Sequence, residues 1–279
     1  MRVTGHTALY GVVGHPVSHS RSPQMQIAAF AAAGIDAVYV ALPVPPERLD
    51  EALRGAHALG FAGLNVTVPH KQRAAAACLT LDPVAEEIGA ANTLRRTPDG
   101  WEGFNTDAPA CRALLEAAGL RRGARALVVG AGGAARAAVW ALLRSGAAVR
   151  LAARRLDKAE ALCRDAARWS RDPRVLAEAA PWAALAAEAG RADVVVNATP
   201  VGLTAEQALP VTLRREQVVV DFVYGGTAFE LAAREAGARL VSGEEILVRQ
   251  GAIAFSLWTG RPAPEAAMTA AVAAGGSPT

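Results

Sequence analysis

Short apolar runs alternate with longer Ala-rich stretches along almost the whole of this 279-residue chain. The short runs, rich in Val and Leu and bounded by Gly, Pro or polar residues, predict strands, and the longer ones predict helices. Strands are predicted over 8–13, 37–42 and 61–66, with helices over 22–33 and 46–59 between them and near 70–78 and 82–89 after them. Two strand-like pieces, 91–95 and 101–104, flank the turn Pro98-Asp99-Gly100 and predict a hairpin at a sheet edge. A second unit starts around Asp107, with a helix over 108–118 that stops at Gly119. Its strands, 124–129, 148–152, 193–197 and 217–221, are apolar without alternation, as a sheet covered on both faces requires. Helices reaching Arg144 and spanning 156–167 follow its first two strands. The last two helices, near 244–259 and 263–274, have no strand of their own and must pack on the first unit. The order predicts an α/β fold with mostly parallel sheets.

Composition narrows the partners. Hydrophobic residues make up 52% of the chain but aromatics only 5%, so the cores rest on aliphatic side chains. The formal charge is +3, and the arginines are scattered with no basic stripe, which argues against nucleic acid and suits a small anionic ligand better. Cys78, Cys111 and Cys163 are far apart and have no metal-ligand spacing, so idle thiols in a reducing compartment and no metal site are expected. No leader pattern opens the chain and no long uncharged apolar segment interrupts it, so a cytoplasmic protein without a membrane partner is expected.

The strand over 124–129 runs straight into Gly130-Ala131-Gly132-Gly133-Ala134-Ala135 and then a helix. This strand–turn–helix context is what gives a Gly-x-Gly pattern meaning: the backbone comes close to a pyrophosphate at the positive end of the helix. The end of the next strand selects the dinucleotide. It carries Arg154 and Arg155, with Lys158 a turn later, and no carboxylate at the strand tip. These cations suit a 2′-phosphate, so NADP is expected rather than NAD. Asp157 is read as starting or capping the following helix.

Lys71 and Lys158 are the only lysines among 29 basic residues, and Lys71 sits in a run of small polar and apolar residues, Asn65-Val66-Thr67-Val68-Pro69-His70-Lys71. An ammonium can give up a proton and a guanidinium effectively cannot, so Lys71 is a candidate acid–base group. Further polar clusters stand at or beyond strand ends: Ser18-His19-Ser20-Arg21-Ser22-Pro23, Gly89-Ala90-Ala91-Asn92-Thr93 and Gly103-Phe104-Asn105-Thr106-Asp107. Ligands of parallel α/β sheets bind at that edge. Hydroxyls and amides with one Lys and one Asp suit a small polyhydroxylated ring, uncharged or singly anionic. Simpler structural roles stand beside this reading: Ser22-Pro23 as the cap and first residue of a helix, Asp107 as a cap, and His19 and His70 as structural.

Taken in order with Asn197-Ala198-Thr199-Pro200-Val201-Gly202 and Gln250-Gly251-Ala252, these motifs resemble the shikimate dehydrogenase family over nearly the whole chain. The resemblance implies NADPH-dependent reduction of 3-dehydroshikimate to shikimate, on the route to aromatic amino acids. It implies a substrate domain built from 1–107 plus 243–279, with a Rossmann-like NADP domain, 108–242, inserted between its two parts. By matching position it implies Lys71 and Asp107 as the catalytic pair, Ser20 and Ser22 with Tyr224 at the substrate carboxylate, and Asn65, Thr67, Asn92, Asp107 and Gln250 at the ring hydroxyls. Gly130, Ala131, Gly132, Gly133, Ala134, Arg154, Arg155, Lys158, Thr199 and Gly243 would hold the cofactor. The chain departs from the family pattern at Gln26-Ile27, at Ala153-Arg154-Arg155, at Pro200 and Leu203, in the short Gly225-Gly226 stretch, and at Gly243-Glu244-Glu245-Ile246. The last puts two carboxylates near the expected cofactor edge, where they could instead open the following helix. Sister activities on quinate or aminoshikimate, or a sensor that binds NADPH without chemistry, are the alternatives. A monomer and a homodimer are equally open.

Overall fold

The computed structural model describes residues 3–202 and 208–275, so Leu203 lies outside the described residues. Two compact units emerge, Met1–Thr106 with Leu247–Thr279, and Asp107–Ile246. In the first, the predicted alternation becomes β1 (Ala8–Gly14), α1 (Ser22–Ala32), β2 (Ala37–Pro43), α2 (Leu49–Ala58), β3 (Phe61–Val66), α3 (Lys71–Ala76), β4 (Thr80–Leu81), α4 (Pro83–Ile88), β5 (Thr93–Thr97) and β6 (Gly100–Phe104). The sheet order is β2-β1-β3-β5-β6-β4. β1 runs parallel to β2 and β3, whereas the β5–β6 hairpin pairs antiparallel to β3. The hairpin was expected at the edge, but β4 pairs with β6 outside it. A two-residue strand is too short for alternation to announce it.

One side of this sheet packs Val13, Leu49, Leu53, Leu64, Leu94 and Trp101 into a core. Elsewhere in the unit Tyr10 lies against Phe30 and Trp258, and Phe30 against Phe255. Trp258 and Phe255 belong to α10 (Gly243–Thr259), which α11 (Glu265–Ala274) follows. Their docking fits the expectation that the strandless C-terminal helices pack on the first unit. Trp258 Nε1 donates to Leu94 O at 3.0 Å, and Gln26 Nε2 donates to Gly251 O at 3.0 Å. Gly63 on β3 must lack a side chain, because a Cβ there would run into the Trp258 indole.

The second unit comprises α5 (Asp107–Ala117), β7 (Arg125–Val129), α6 (Gly133–Arg144), β8 (Ala148–Ala152), α7 (Leu156–Ala166), β9 (Ala177–Ala180), α8 (Leu185–Arg191), β10 (Val194–Asn197), β11 (Val218–Asp221), α9 (Ala228–Glu235) and β12 (Arg239–Val241), and it ends within the first turn of α10. Its strands pair in parallel in the order β12-β11-β10-β7-β8-β9. The buried runs Val194–Asn197 and Val218–Asp221 form the adjacent interior strands β10 and β11, as their unbroken apolar pattern requires. Leu127, Val129, Val195, Val219, Leu185 and Phe229 share one of its cores. Sequence reading missed β9, α8, α9 and β12. Ala-Glu-Ala-Ala has helical propensity, and β12 is three residues long, so pairing rather than local preference makes both into strands.

Candidate active site

Polar residues, Asn65 and Thr67, flank Val66 at the end of β3. Asn65 is buried, 6% exposed, one residue before the strand ends. Its Nδ2 donates to Asn92 O at 3.1 Å and to Thr93 Oγ1 at 3.0 Å, and its Oδ1 accepts from the Tyr39 hydroxyl at 2.7 Å. Thr93 Oγ1 meets Thr106 Oγ1 at 3.2 Å. The Asn92 amide accepts from Thr106 N at 2.7 Å and donates to Thr106 Oγ1 at 2.9 Å and more weakly to Gln250 Oε1 at 3.4 Å. Gln250 is fixed in turn by donating to Leu247 O at 2.8 Å. One buried net within the first unit therefore gathers three of the expected ring ligands, Asn65, Asn92 and Gln250.

The same net fixes where Lys71 and Asp107 leave the backbone. Lys71 opens α3, and its carbonyl accepts from Ala91 N at 2.9 Å, next to Asn92. Asp107 opens α5 directly after Thr106, whose N–H is held by Asn92. Thr67 lies between Asn65 and Lys71, held by donation from its own N–H to Val13 O at 2.8 Å and accepting from His70 N at 2.9 Å. His70 is structural: its Nε2 faces Val44 O at 2.8 Å, and burial lowers its pKa.

Ser20 and Ser22 stand at the amino end of α1. Ser22 is not the cap, as Ser22-Pro23 suggested: the helix begins at Ser22 itself, Arg21 occupies the cap position, and no side chain caps it. Ser20 Oγ accepts from Ser22 N at 3.3 Å. The helix end thus retains N–H groups that favour an anion. Tyr224, half-buried, belongs to the second unit, in the turn after β11.

In the second unit the glycine turn follows β7. Gly130 has φ of +119°, and a Cβ there would lie 2.6 Å from Ala198 O, so the tight turn demands glycine. Gly132 precedes α6 without a side-chain cap, and no acidic residue lies in the first turn of that helix. Arg154, Arg155 and Lys158 are exposed just past β8. Arg155 holds the cap position of α7, and Asp157 falls within its first turn rather than capping it. A bare helix amino end with a cationic strand tip beyond it fits a pyrophosphate and a 2′-phosphate. These residues therefore fit NADP.

Sequence reasoning missed the polar chain that joins the next loops of this sheet edge. Asn197 and Asp221 are register partners on β10 and β11, and both are fully buried. Asn197 Oδ1 accepts from Thr199 Oγ1 at 2.7 Å, and its Nδ2 donates to Asp221 at 2.9 Å. Asp221 also accepts from Val223 N at 3.0 Å and from Thr227 Oγ1 at 2.6 Å. Thr227 caps α9, where Glu230 accepts from Gly243 N at 3.3 Å. Thr199 and Gly243 are thereby fixed. Burial pushes the Asp221 carboxyl up to about 6 and raises Glu230 as well. The unusual Glu244-Glu245 pair is accounted for within the protein. Glu245 and Ser242 bond each other's N–H groups at 2.8 and 3.3 Å, a capping box that opens α10, and Glu244 accepts from Gly225 N at 2.9 Å. Among the described residues no cluster of His, Cys, Asp and Glu is placed to hold a metal ion, and no helix is long and apolar enough to cross a membrane.

Comparison with known proteins places this arrangement. Residues 12–94 match the shikimate dehydrogenase substrate binding domain, and residues 243–273 match the shikimate 5'-dehydrogenase C-terminal domain. A shikimate dehydrogenase (NADP(+)) from Anaeromyxobacter sp. (strain K) is 67% identical over 274 residues, 98% of each chain. A crystal structure of a shikimate dehydrogenase in complex with NADP+ superposes with a TM-score of 0.88 at 33% identity, covering 99% of this chain and 98% of that one. The Thermus thermophilus enzyme, solved with NADP(H) and shikimate, superposes with a TM-score of 0.84 at 35% identity, covering 96% of this chain and 99% of that one.

Proposed function

The chain belongs to the shikimate dehydrogenase family, and from that membership we propose that it catalyses the reversible NADPH-dependent reduction of 3-dehydroshikimate to shikimate, with Lys71 and Asp107 as its catalytic pair. It is an NADP-dependent oxidoreductase acting on a CH–OH group. The observation that carries the assignment of the pair is the backbone bracing around Ala91 and Asn92, which anchors Lys71 on one side and the Thr106–Asp107 junction on the other.

Bound NADPH supplies the hydride. Negative charge grows on the ring carbonyl oxygen as it is reduced. The Lys71 ammonium stabilises that charge and delivers the proton. Asp107 accepts from a ring hydroxyl and keeps the reacting carbon in register. Ser20 and Ser22 hold the substrate carboxylate at the amino end of α1, with Tyr224 assisting. Asn65, Thr67, Asn92 and Gln250 hold the ring hydroxyls. Residues 1–107 and 243–279 form the substrate domain, and 108–242 form the NADP domain. Gly130 to Ala134, Thr199 and Gly243 line the cofactor, with Arg154, Arg155 and Lys158 at its 2′-phosphate. The three free thiols support a cytoplasmic setting.

The test is NADPH formation, followed by absorbance, from shikimate and NADP with purified protein, beside quinate and beside NAD. Shikimate with NADP should be the fastest pair. Lys71→Ala should lower kcat by roughly 10²-fold or more. A wild-type protein inert to shikimate would end the assignment, and an unchanged kcat in the variant would end the role of Lys71.

A further inference from the structure

Tyr39 is outside every motif, yet its hydroxyl is bonded into the first unit's polar net. It lies on β2, 2% exposed. Its hydroxyl donates to Asn65 Oδ1 at 2.7 Å. It therefore braces, from another strand of the same sheet, the amide expected at the substrate ring.

The direction of each hydrogen bond follows from groups that cannot change role. The Asn92 carbonyl can only accept, and it lies 3.1 Å from the Asn65 amide, so the nitrogen of that amide must face it. The second N–H of the same amide goes to Thr93 Oγ1 at 3.0 Å. Both hydrogens are then taken. Asn65 Oδ1 is left to accept, and the facing Tyr39 hydroxyl must donate to it. Asn65 Oδ1 keeps one further lone pair and Asn65 has no hydrogen left to offer.

We infer that Tyr39 is a positioning residue that locks the Asn65 amide in the orientation set by the Asn92 carbonyl and Thr93, so that Asn65 meets the substrate as a hydrogen-bond acceptor and never as a donor. The ring position facing Asn65 must then carry a free O–H. A fluorine, an ether or a carbonyl oxygen there would meet a lone pair. Burial raises the Tyr39 pKa well above that of an ordinary tyrosine, so the donor persists at working pH. This rests on the shikimate reading above and adds the polarity of one subsite to it.

The experiment measures KM and kcat for shikimate, and for analogues with each non-reacting ring hydroxyl replaced in turn by fluorine, in the wild-type protein and in Tyr39→Phe. In the wild type, fluorine at one of those positions should lower kcat/KM about tenfold or more, the scale of one lost hydrogen bond with a buried lone pair left facing it. Tyr39→Phe keeps the ring in place and removes the hydroxyl. It should raise the KM for shikimate about tenfold, leave kcat and the KM for NADP within about threefold, and narrow the hydroxyl-to-fluorine ratio at that same position. A wild-type KM for shikimate in the variant, or an equal loss for NADP, would overturn the inference. If Tyr39→Phe does not fold, the analogue series on the wild type decides alone, and tolerance of fluorine at every position overturns it. Absence of any NADPH formation from shikimate by the wild type is a distinct result, which removes the parent reading and this inference with it.

Discussion

The unfolding stability of Asp221→Asn minus that of the wild-type protein should rise by about 3 kcal/mol as pH rises from about 4 to about 8. Asp221 ends β11 with no exposed surface. Loss of water dominates its environment and outweighs the bonds from Thr227, Val223 and Asn197, so its carboxyl is raised from 3.8 to about 6, with Glu244 adding repulsion. Glu230, also raised by burial, shares the same pocket of charge. A raised value means that the folded protein binds this proton more tightly than the unfolded chain does. The favourable contribution is therefore whole below about pH 4 and is lost as pH rises through about 6. A shift of about two units corresponds to roughly 3 kcal/mol. Asparagine retains an oxygen for Asn197 and Val223 and can donate to Thr227, but it carries no charge at any pH. Any fixed cost of the altered bonds cancels when the two proteins are compared across pH. Urea unfolding at several pH values, followed by the fluorescence of Trp140, Trp169 and Trp182 in the same unit, reads the effect. A difference that stays flat, or that shrinks as pH rises, would show that the buried carboxylate carries no such penalty.

Further consequences can be measured directly. Gly63→Ala should lower unfolding stability by roughly 1–3 kcal/mol, because the new methyl must displace the Trp258 indole from Leu94 O; an unchanged urea midpoint would mean that Trp258 yields without loss. Arg155→Ala should raise the KM for NADP about tenfold while leaving that for NAD unchanged, and an equal rise for both would remove Arg155 from the 2′-phosphate. Burial pushes Cys78 and Cys111 up to about 12 and Cys163 to about 11, so the native protein should resist iodoacetamide at neutral pH and take up label at all three thiols in urea. Rapid native labelling seen by mass spectrometry would contradict that burial.

Much of the fold could be read because its apolar runs have strand length and end at glycine or a polar residue. Asn65 and Thr67 stood out because polar side chains appear where an apolar strand ends and a parallel sheet binds its ligands, and Lys71 because an ammonium in that run can give up a proton where the chain's many guanidinium groups cannot. Tyr39 gave no such signal. An aromatic residue between Val38 and Val40 reads as core, and the partner of its hydroxyl is known only once β2, β1 and β3 are in register. Asp221 likewise reads as the residue that stops a valine run. Its burial depends on Asn197 lying beside it, and Asn197 is separated from it by a long excursion in sequence. Glu244 and Glu245 were visible as a departure, but the capping box with Ser242 and the bond to Gly225 required coordinates to separate their roles.

The boundary inside α10 has a consequence for biosynthesis. Translation delivers the first sheet early, but Gly251, Phe255 and Trp258, which Gln26, Phe30 and Leu94 await, leave the ribosome only after the whole middle unit. The middle unit is contiguous and can ripen first. The amino-terminal sheet must wait with an apolar flank uncovered until the last helices arrive, so it is the nascent chain's stretch most in need of a chaperone.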